Sequence, residues 1–405
     1  MKILQVNCVH KKGSTGKIAY DVHCELLKRG QESVICYGRG ERVQEPLVYK
    51  TCPEWYSKAN HLLSWITGLM YGGLFFSTNK LIRVIRKEKP DIVHLHCLNG
   101  YFVNIYRLIA WLKKHHIKTL LTLHAEFMHT ANCGHALDCD KWLTGCGHCP
   151  RLKAETKSLF FDRTHDSWKK MKSAFDGFSE LRITSVSPWL MSRAKQSPIL
   201  SPFPHEVVLN GLDTSIFCRH DTAGLREKHN LSDQKIVFHA TASFSDVANS
   251  FKGGDHIIAL AKKFLGQNVV FIVAGPHPDD IQVPENMILL GTITDQKLLA
   301  QYYNLADVTV IASKKETFSM ICAESLCCGT PVIGFRAGGP EQISLKEYST
   351  FVEYGDLNAL YSICQQYLYD EKQCDTAIYT KAASTYALTG MTNNYIEEYR
   401  KLLFD

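Results

Sequence analysis

The sequence has no apolar stretch long enough to cross a bilayer. Its longest apolar run, Leu62 to Ser77, is broken by Gly68, Gly72 and Gly73 and falls short of the roughly 20 residues a spanning helix needs. The first expectation for this run is a buried core helix. The second is a segment dipping into the bilayer interface beside basic stretches such as Lys80 to Lys89. A signal peptide is lacking too, because Met1-Lys2-Ile3-Leu4-Gln5-Val6 opens directly as a strand. The expected setting is therefore a reducing cytoplasm, where most of the fifteen cysteines serve as small buried hydrophobes rather than disulfide partners. No aromatic RNA-binding consensus, finger-type spacing with paired histidines or long basic tail is present, which argues against nucleic acid. Internal repeats and low-complexity segments are missing as well.

What is there is a chain of 405 residues, more than a single hydrophobic core usually supports, so two domains are expected. Its net charge of +6 and pI near 8.5 suit an anionic substrate or an anionic membrane surface.

The first half alternates short apolar runs with amphipathic ones. A strand at Ile3 to Cys8 leads to a glycine-containing turn at Gly13 to Gly16. A helix follows with Ile18, Val22, Leu26 and Leu27 on one face. Further strands are expected at Ser33 to Tyr37, Asp91 to Cys97, Thr119 to His124, Arg182 to Val186 and Val207 to Leu209. The pattern restarts after the weakly periodic stretch Asp213 to Gln234, with strands at Ile236 to Ala240, Val269 to Ala274, Met287 to Leu290, Val308 to Ala312 and Pro331 to Phe335. Near-continuous apolar strands separated by helices imply parallel sheets covered on both faces. The expected fold is α/β: two Rossmann-like, doubly wound domains facing a cleft, with ligands at the carboxyl ends of strands. The boundaries read as 1–209, 210–388, and a C-terminal helix in 389–405 that returns to the first domain.

The chemistry concentrates between Asp307 and Phe335, which parses as strand, loop, short helix, turn and strand. Glu316 falls in the loop. Ser319 can cap a helix running to about Cys328, with Gly329 at the left-handed position after it. Glu324 lies inside that helix. The helix start, at Phe318, Ser319 and Met320, offers backbone N–H groups to phosphate, Glu324 can accept from ribose hydroxyls, and Glu316 would face a sugar ring. Two glutamates eight positions apart are otherwise ordinary surface charges, and spacing alone does not decide between these readings.

The complete segment resembles the retaining glycosyltransferases of family 4. Their pattern of acid, variable residue, Phe, second acid and Gly-x-Pro-Val is present as Glu316, Phe318, Glu324, Gly329, Pro331 and Val332. The likeness continues through Gly291, Leu305-Ala306-Asp307 and Ser313 upstream and Ala337 to Glu341 downstream. In the first half it extends to Pro90 to His96 and Thr122-Leu123-His124.

This resemblance implies the GT-B fold and catalysis by Glu316 and His124. It also implies donor binding by Gly13, Gly16, Lys252, Phe318, Ser319, Met320 and Glu324. It implies a nucleoside diphosphate sugar donor, UDP- or GDP-linked, with no cofactor for catalysis and with retention of anomeric configuration. The expected acceptor is a lipid-linked glycan in surface polysaccharide synthesis, handled by a cytoplasmic enzyme loosely associated with the inner face of the membrane. Three departures stand out. No arginine precedes Lys252, where the strand reads His239-Ala240-Thr241-Ala242-Ser243. Ala125-Glu126 follows His124 in place of the commoner aspartate. Thr317 and Ser319 replace the usual glycines. Gly13-Ser14-Thr15-Gly16-Lys17 fails the triphosphate-loop pattern, since Ile18 stands where Ser or Thr belongs. The rival readings are a nucleotide-sugar epimerase on the same fold and a non-catalytic sugar-binding relative.

Cys133, Cys139, Cys146 and Cys149 crowd into an insertion at 129–150. The last pair has the two-residue gap common in tetrathiolate zinc sites, and the first pair is spaced wider than usual. A structural zinc would order such a loop, with His135 and His148 as substitute ligands. The other reading is a reduced, unliganded loop or an adventitious disulfide. A similar insertion occurs in the part of the family that builds bacterial surface polysaccharides.

Overall fold

A computed structural model describes residues 1–369 and 376–404. The chain divides into two compact units, one formed by Met1–Leu209 with the residues from Met391 onward, the other by Asn210–Gly390.

The first unit is built on seven strands: β1 (Lys2–Val9), β2 (Glu32–Arg39), β3 (Val48–Lys50), β4 (Ile92–Leu95), β5 (Thr119–Leu123), β6 (Leu181–Ser185) and β7 (His205–Val207). They pair in parallel in the order β3-β2-β1-β4-β5-β6-β7. The chain starts in the middle, runs to one edge, and crosses back to β4. The carboxyl ends of β1 and β4 therefore flank a topological switch point, where open α/β sheets bind ligands. β4 and β5 are buried along their whole length, as sheets covered on both faces require.

The second unit repeats the plan with six strands: β8 (Lys235–Ala240), β9 (Val269–Ala274), β10 (Met287–Leu289), β11 (Val308–Ile311), β12 (Val332–Phe335) and β13 (Ser349–Val352). Their order is β10-β9-β8-β11-β12-β13, all parallel, with the switch point between β8 and β11. Phe264, Phe271, Val310, Ile333 and Leu360 belong to one buried core cluster against this sheet.

Two edge strands, β3 and β13, escape the sequence reading because three or four half-apolar residues carry no usable periodicity. The final strand of the first unit lies two residues earlier than expected. The helix Gly13–Lys28 begins at Gly13 itself, with Lys12 as its N-cap. Gly13 to Gly16 thus form its first turn and not a preceding turn.

The expectation of a core helix from Leu62 to Ser77 is overturned. One helix spans Glu54–Thr67 and ends on Gly68 in the left-handed conformation, and another starts at Phe76. In the first of these the buried residues are Tyr56, Ser57, Asn60 and Ser64, while Leu62 and Ile66 are exposed. Asn60 explains the orientation. Its amide donates to the Tyr101 carbonyl (3.0 Å) and accepts from the Leu74 N–H (2.9 Å), so the polar face closes against two loops. Among the described residues no helix is long and apolar enough to cross a membrane.

The C-terminal helix, Leu388–Phe404, covers a polar lane across the first sheet. Tyr399 Oη meets His94 Nδ1 at 2.7 Å, His94 Nε2 meets Thr122 Oγ1 at 2.7 Å, and Thr122 meets Thr184 at 2.7 Å. Arg182 donates to the buried Glu398 at 3.0 Å.

Burial keeps several histidines of the two units neutral. It lowers His23 and His239 to about 4 and holds His94 and His96 well below the ordinary imidazole range. In the unfolded chain these rings take up protons near pH 6.5, before the folded chain can. Stability is therefore fully present above about pH 6.5 and is lost progressively as pH falls toward 4. Thermal melts across that window should show a steep fall in Tm, and His23→Gln should make the fall shallower.

Candidate active site

The sequence-derived site residues fall into two sets, one in each unit. In the second unit the chain leaves β11, forms a loop from Ala312, and enters the helix Met320–Cys327, with Gly329 (φ +80°) leading into β12. Ser319 caps the helix by accepting from the Cys322 N–H at 3.3 Å. It does so at φ +85°, a conformation that costs a non-glycine residue of order 1–3 kcal/mol.

Glu316 is fixed from both sides of its backbone. Its N–H donates to Ala337 O (3.0 Å), its carbonyl accepts from Gly339 N–H (2.9 Å), and it forms a parallel bridge with Gly338. A Cβ at Gly339 would stand 2.5 Å from the Thr317 carbonyl carbon, so this approach needs glycine. Glu341 holds the opposing turn by accepting from the Ala337 and Gly338 N–H groups at 3.1 and 2.8 Å.

So anchored, Glu316 Oε1 accepts from Lys252 Nζ at 2.6 Å, with the two side chains 19% and 30% exposed. Lys252 arrives on the loop after β8. Gly253 follows it at φ +71°, where a Cβ would lie 2.1 Å from the Ala312 carbonyl oxygen. The Lys314 N–H donates to Phe251 O at 3.0 Å. Two loops leaving neighbouring strands at the switch point are thereby fastened together, and each brings one charge.

One turn into the helix, Glu324 accepts from Tyr303 Oη at 2.9 Å. Burial, with the nearby Glu324 charge, keeps the Tyr303 hydroxyl protonated far above its ordinary range, so it remains a donor and orients the carboxylate. Phe318 is buried, and Met320 is half-buried. Lys252, Glu316, Ser319 and Glu324 thus share one end of one sheet, beside the positive end of a helix dipole.

In the first unit His124 follows β5. Its Nε2 lies 3.2 Å from His96 Nδ1, and His96 Nε2 lies 3.1 Å from Gln5 Oε1. Gln5 in turn donates toward Ser33 Oγ at 3.4 Å. With the Gln5 oxygen facing it, His96 carries its proton on Nε2 and accepts on Nδ1, so His124 donates from Nε2 and keeps a lone pair on Nδ1. Burial lowers His124 to about 4, and the ring is neutral at neutral pH. Gly13 and Gly16 lie at the end of β1, in a helix whose N-cap makes no side-chain capping bond and whose first turn holds no acid. A Cβ on Gly16 would sit 3.0 Å from Val9 Cγ2.

Glu126, the departure after His124, is wholly buried. It accepts from Arg193 Nε at 2.5 Å and from the Ala136 N–H at 2.8 Å. Burial opposes its charge, but His129 and Arg193 prevail and lower it to about 2. Its carboxylate anchors the cysteine-rich insertion.

Within that insertion Cys133, Cys139, Cys146 and Cys149 are free thiols lining one cavity of about 20 Å³, which neither His135 nor His148 lines. Burial raises Cys146 to about 12 and pushes Cys133 and Cys149 up as well. Among the described residues no group of three or more His, Cys, Asp or Glu side chains is gathered as a ready metal-binding set. The backbone from Gly145 to His148 runs through four consecutive positive φ values.

Comparison with known proteins fits this geometry. The profile of "Glycosyltransferase Family 4" matches residues 15–216, and that of "Glycosyl transferases group 1" matches residues 241–370. Between them the two matches span both units. The fold and these matches define a glycosyltransferase of the GT-B class, and the chain belongs to family 4 of these enzymes.

Among curated relatives, the putative colanic acid biosynthesis glycosyl transferase WcaC of Escherichia coli is 25% identical over 360 residues, 85% of this chain and 86% of that protein. The N-acetyl-alpha-D-glucosaminyl L-malate synthase of Bacillus anthracis is 25% identical over 305 residues, covering 73% and 69%. Sucrose-phosphate synthase from Thermosynechococcus elongatus superposes with a TM-score of 0.69 at 16% identity, covering 99% of this chain and 98% of its own. Anabaena HepE, solved with UDP and glucose, gives 0.67 at 15% identity, covering 99% and 100%. At such identities the likeness to solved structures speaks to fold.

Sequence reasoning missed Tyr303, Glu341, Gln5 and His96 as supports of the site. His96 lay inside a quoted motif, but nothing linked it to His124. Glu341 lay inside the Ala337 to Glu341 match with no role attached to it, and Tyr303 carries no signal beyond its residue type. Ser319 provides a test of the local backbone. Ser319→Gly removes the strain along with the cap and should leave stability unchanged or raise it by up to about 1 kcal/mol. Ser319→Ala keeps the strain, loses the cap and should cost about 1–2 kcal/mol, both read by chemical denaturation.

Proposed function

We propose that this glycosyltransferase moves a sugar from a nucleoside diphosphate donor, UDP- or GDP-linked, to a hydroxyl of a lipid-linked glycan, with retention of anomeric configuration. The observation that carries the donor assignment is the Glu316–Lys252 ion pair at the β8/β11 switch point, beside the start of the Met320–Cys327 helix. An arriving diphosphate would compete for the ammonium group and free the Glu316 carboxylate to face the sugar. HepE, of the same fold, is solved with UDP-glucose, and WcaC is named for colanic acid biosynthesis. The first supports a nucleotide-sugar donor and the second a role in polysaccharide assembly.

In this reading the bond from the anomeric carbon to the phosphate oxygen breaks as the acceptor oxygen approaches from the same face. The acceptor's proton passes to the departing phosphate oxygen. Lys252 and the helix end stabilise the negative charge that grows on the leaving group, in place of a divalent ion. Glu316 and neutral His124 stabilise the cation-like sugar. Glu324, oriented by Tyr303, accepts from the ribose hydroxyls, and Gly13 and Gly16 let the uncapped start of their helix approach an anionic or hydroxyl group.

Glu316→Gln should lower kcat about 10²- to 10³-fold while donor binding, read by thermal shift with UDP and GDP sugars, persists. Glu324→Ala should weaken donor binding about 10- to 100-fold. Unchanged kinetics in both variants would sink the assignment, and isomerisation of the donor without acceptor would replace it with the epimerase reading.

The same proposal includes structural zinc at Cys133, Cys139, Cys146 and Cys149. Four free thiols around one small cavity, in a segment with little secondary structure, support it, and binding would draw the sulfurs inward as they lose their protons. Elemental analysis of the purified chain should find about one zinc per molecule, and chelation should lower Tm. Metal-free protein with an equally protease-resistant insertion would refute it.

A further inference from the structure

The helix Glu54–Thr67 is turned inside out. A surface helix normally buries its apolar stripe and shows its polar one. Here Ser57, Asn60 and Ser64 are buried, while Trp55 (69% exposed), Leu62 (53%) and Ile66 (44%) point outward. Asn60 locks this orientation through its bonds to Tyr101 and Leu74, so it is a built feature.

A second apolar segment is fastened to the end of this helix. The Leu159 N–H donates to Trp65 O at 3.0 Å, and Ser158 Oγ donates to Phe161 O at 2.7 Å. Gly68, the helix's left-handed end, has the Phe161 carbonyl oxygen 2.2 Å from where a Cβ would stand. The segment's side chains point to solvent: Leu159 is 55% exposed, Phe160 71% and Phe161 57%.

Two exposed lysines stand beside these apolar tips. Lys58, exposed, stands three residues after Trp55 and four before Leu62, on the same stripe. Lys157 is exposed and close enough to His61 that, after burial, it helps lower that ring's pKa. The helix's single acid, Glu54, is taken up by the Gly40 N–H at 2.6 Å and Arg39 at 3.1 Å. The segment from Lys157 to Phe161 has none.

We propose that this face docks onto an anionic phospholipid surface. The aromatic and aliphatic tips would enter the interface between headgroups and acyl chains, and the lysine stems would lie along it with their ammonium groups among the phosphates. The occupant is a membrane because the face pairs protruding apolar tips with lysines, while the two acids at its border, Glu54 and Asp162, are held by the backbone N–H groups of Gly40 and of Cys149 and Thr164. The inference stands apart from the donor and acceptor assignments and is tested without any substrate.

The test is co-sedimentation of the full chain with phosphatidylcholine vesicles and with phosphatidylcholine–phosphatidylglycerol vesicles at low and high salt. Binding to the anionic vesicles, weakened by salt, is the expected result. The combined variant Ile66→Ser, Phe160→Ser, Phe161→Ser should bind those vesicles about tenfold or more weakly, with its melting curve unchanged because all three side chains are exposed. Lys58→Glu with Lys157→Glu should also lower affinity, and only for the anionic vesicles. Absence of wild-type sedimentation with either vesicle would overturn the proposal, as would undiminished binding by the serine variant. So would a wild-type dimer, not bound to vesicles, that the serine variant converts to monomer, because the face would then belong to a second copy of the chain.

Discussion

The ion pair between Glu316 and Lys252 depends on two places where a side chain is forbidden. Gly253 lets the lysine's loop lie against the carbonyl of Ala312, and Gly339 lets the turn before Pro340 press on Thr317. A methyl group at either position would force apart the loops that bring the charges to 2.6 Å. The surrounding structure serves that approach. The crossover between β8 and β11 sets the two loops side by side, Glu341 stiffens the facing turn, and strained Ser319 starts the helix where the chain leaves the loop.

The first unit solves a different problem with similar means. Its reactive candidate is a neutral imidazole, and what must be controlled is the location of a proton. The line from Gln5 through His96 to His124 does this across β1, β4 and β5, which lie next to one another only because the sheet starts in its middle. The C-terminal helix closes the lane beside it with Tyr399 and Glu398. Burial that keeps these rings uncharged leaves the fold sensitive to acid. The same property that orders the site therefore narrows the pH range in which it is stable.

Much of this could be read from the chain. Apolar runs flanked by amphipathic stretches located eleven of the thirteen strands among the described residues, and the segment from Glu316 to Val332 carried the family pattern and the helix with its serine cap. The short edge strands β3 and β13 were invisible because three or four residues show no period. The helix Glu54–Thr67 was misread because hydrophobicity indicates which face is apolar but not which face is turned inward. Asn60 decides that by binding Tyr101 and Leu74, and the first of these contacts reaches forty-one residues along the chain.

The sequence by itself determined the α/β alternation, the family and the identity of the charged groups of the candidate site, because those follow from local period and from residues close together in the chain. Tertiary structure alone decided which groups meet. Lys252 finds Glu316 across sixty-four positions, Tyr303 orients Glu324, Gln5 reaches His96, and Glu126 turns from the end of β5 into the cysteine-rich insertion. Each is a pairing between elements brought together by strand order, and strand order is fixed by packing the whole sheet, which no local stretch of sequence encodes.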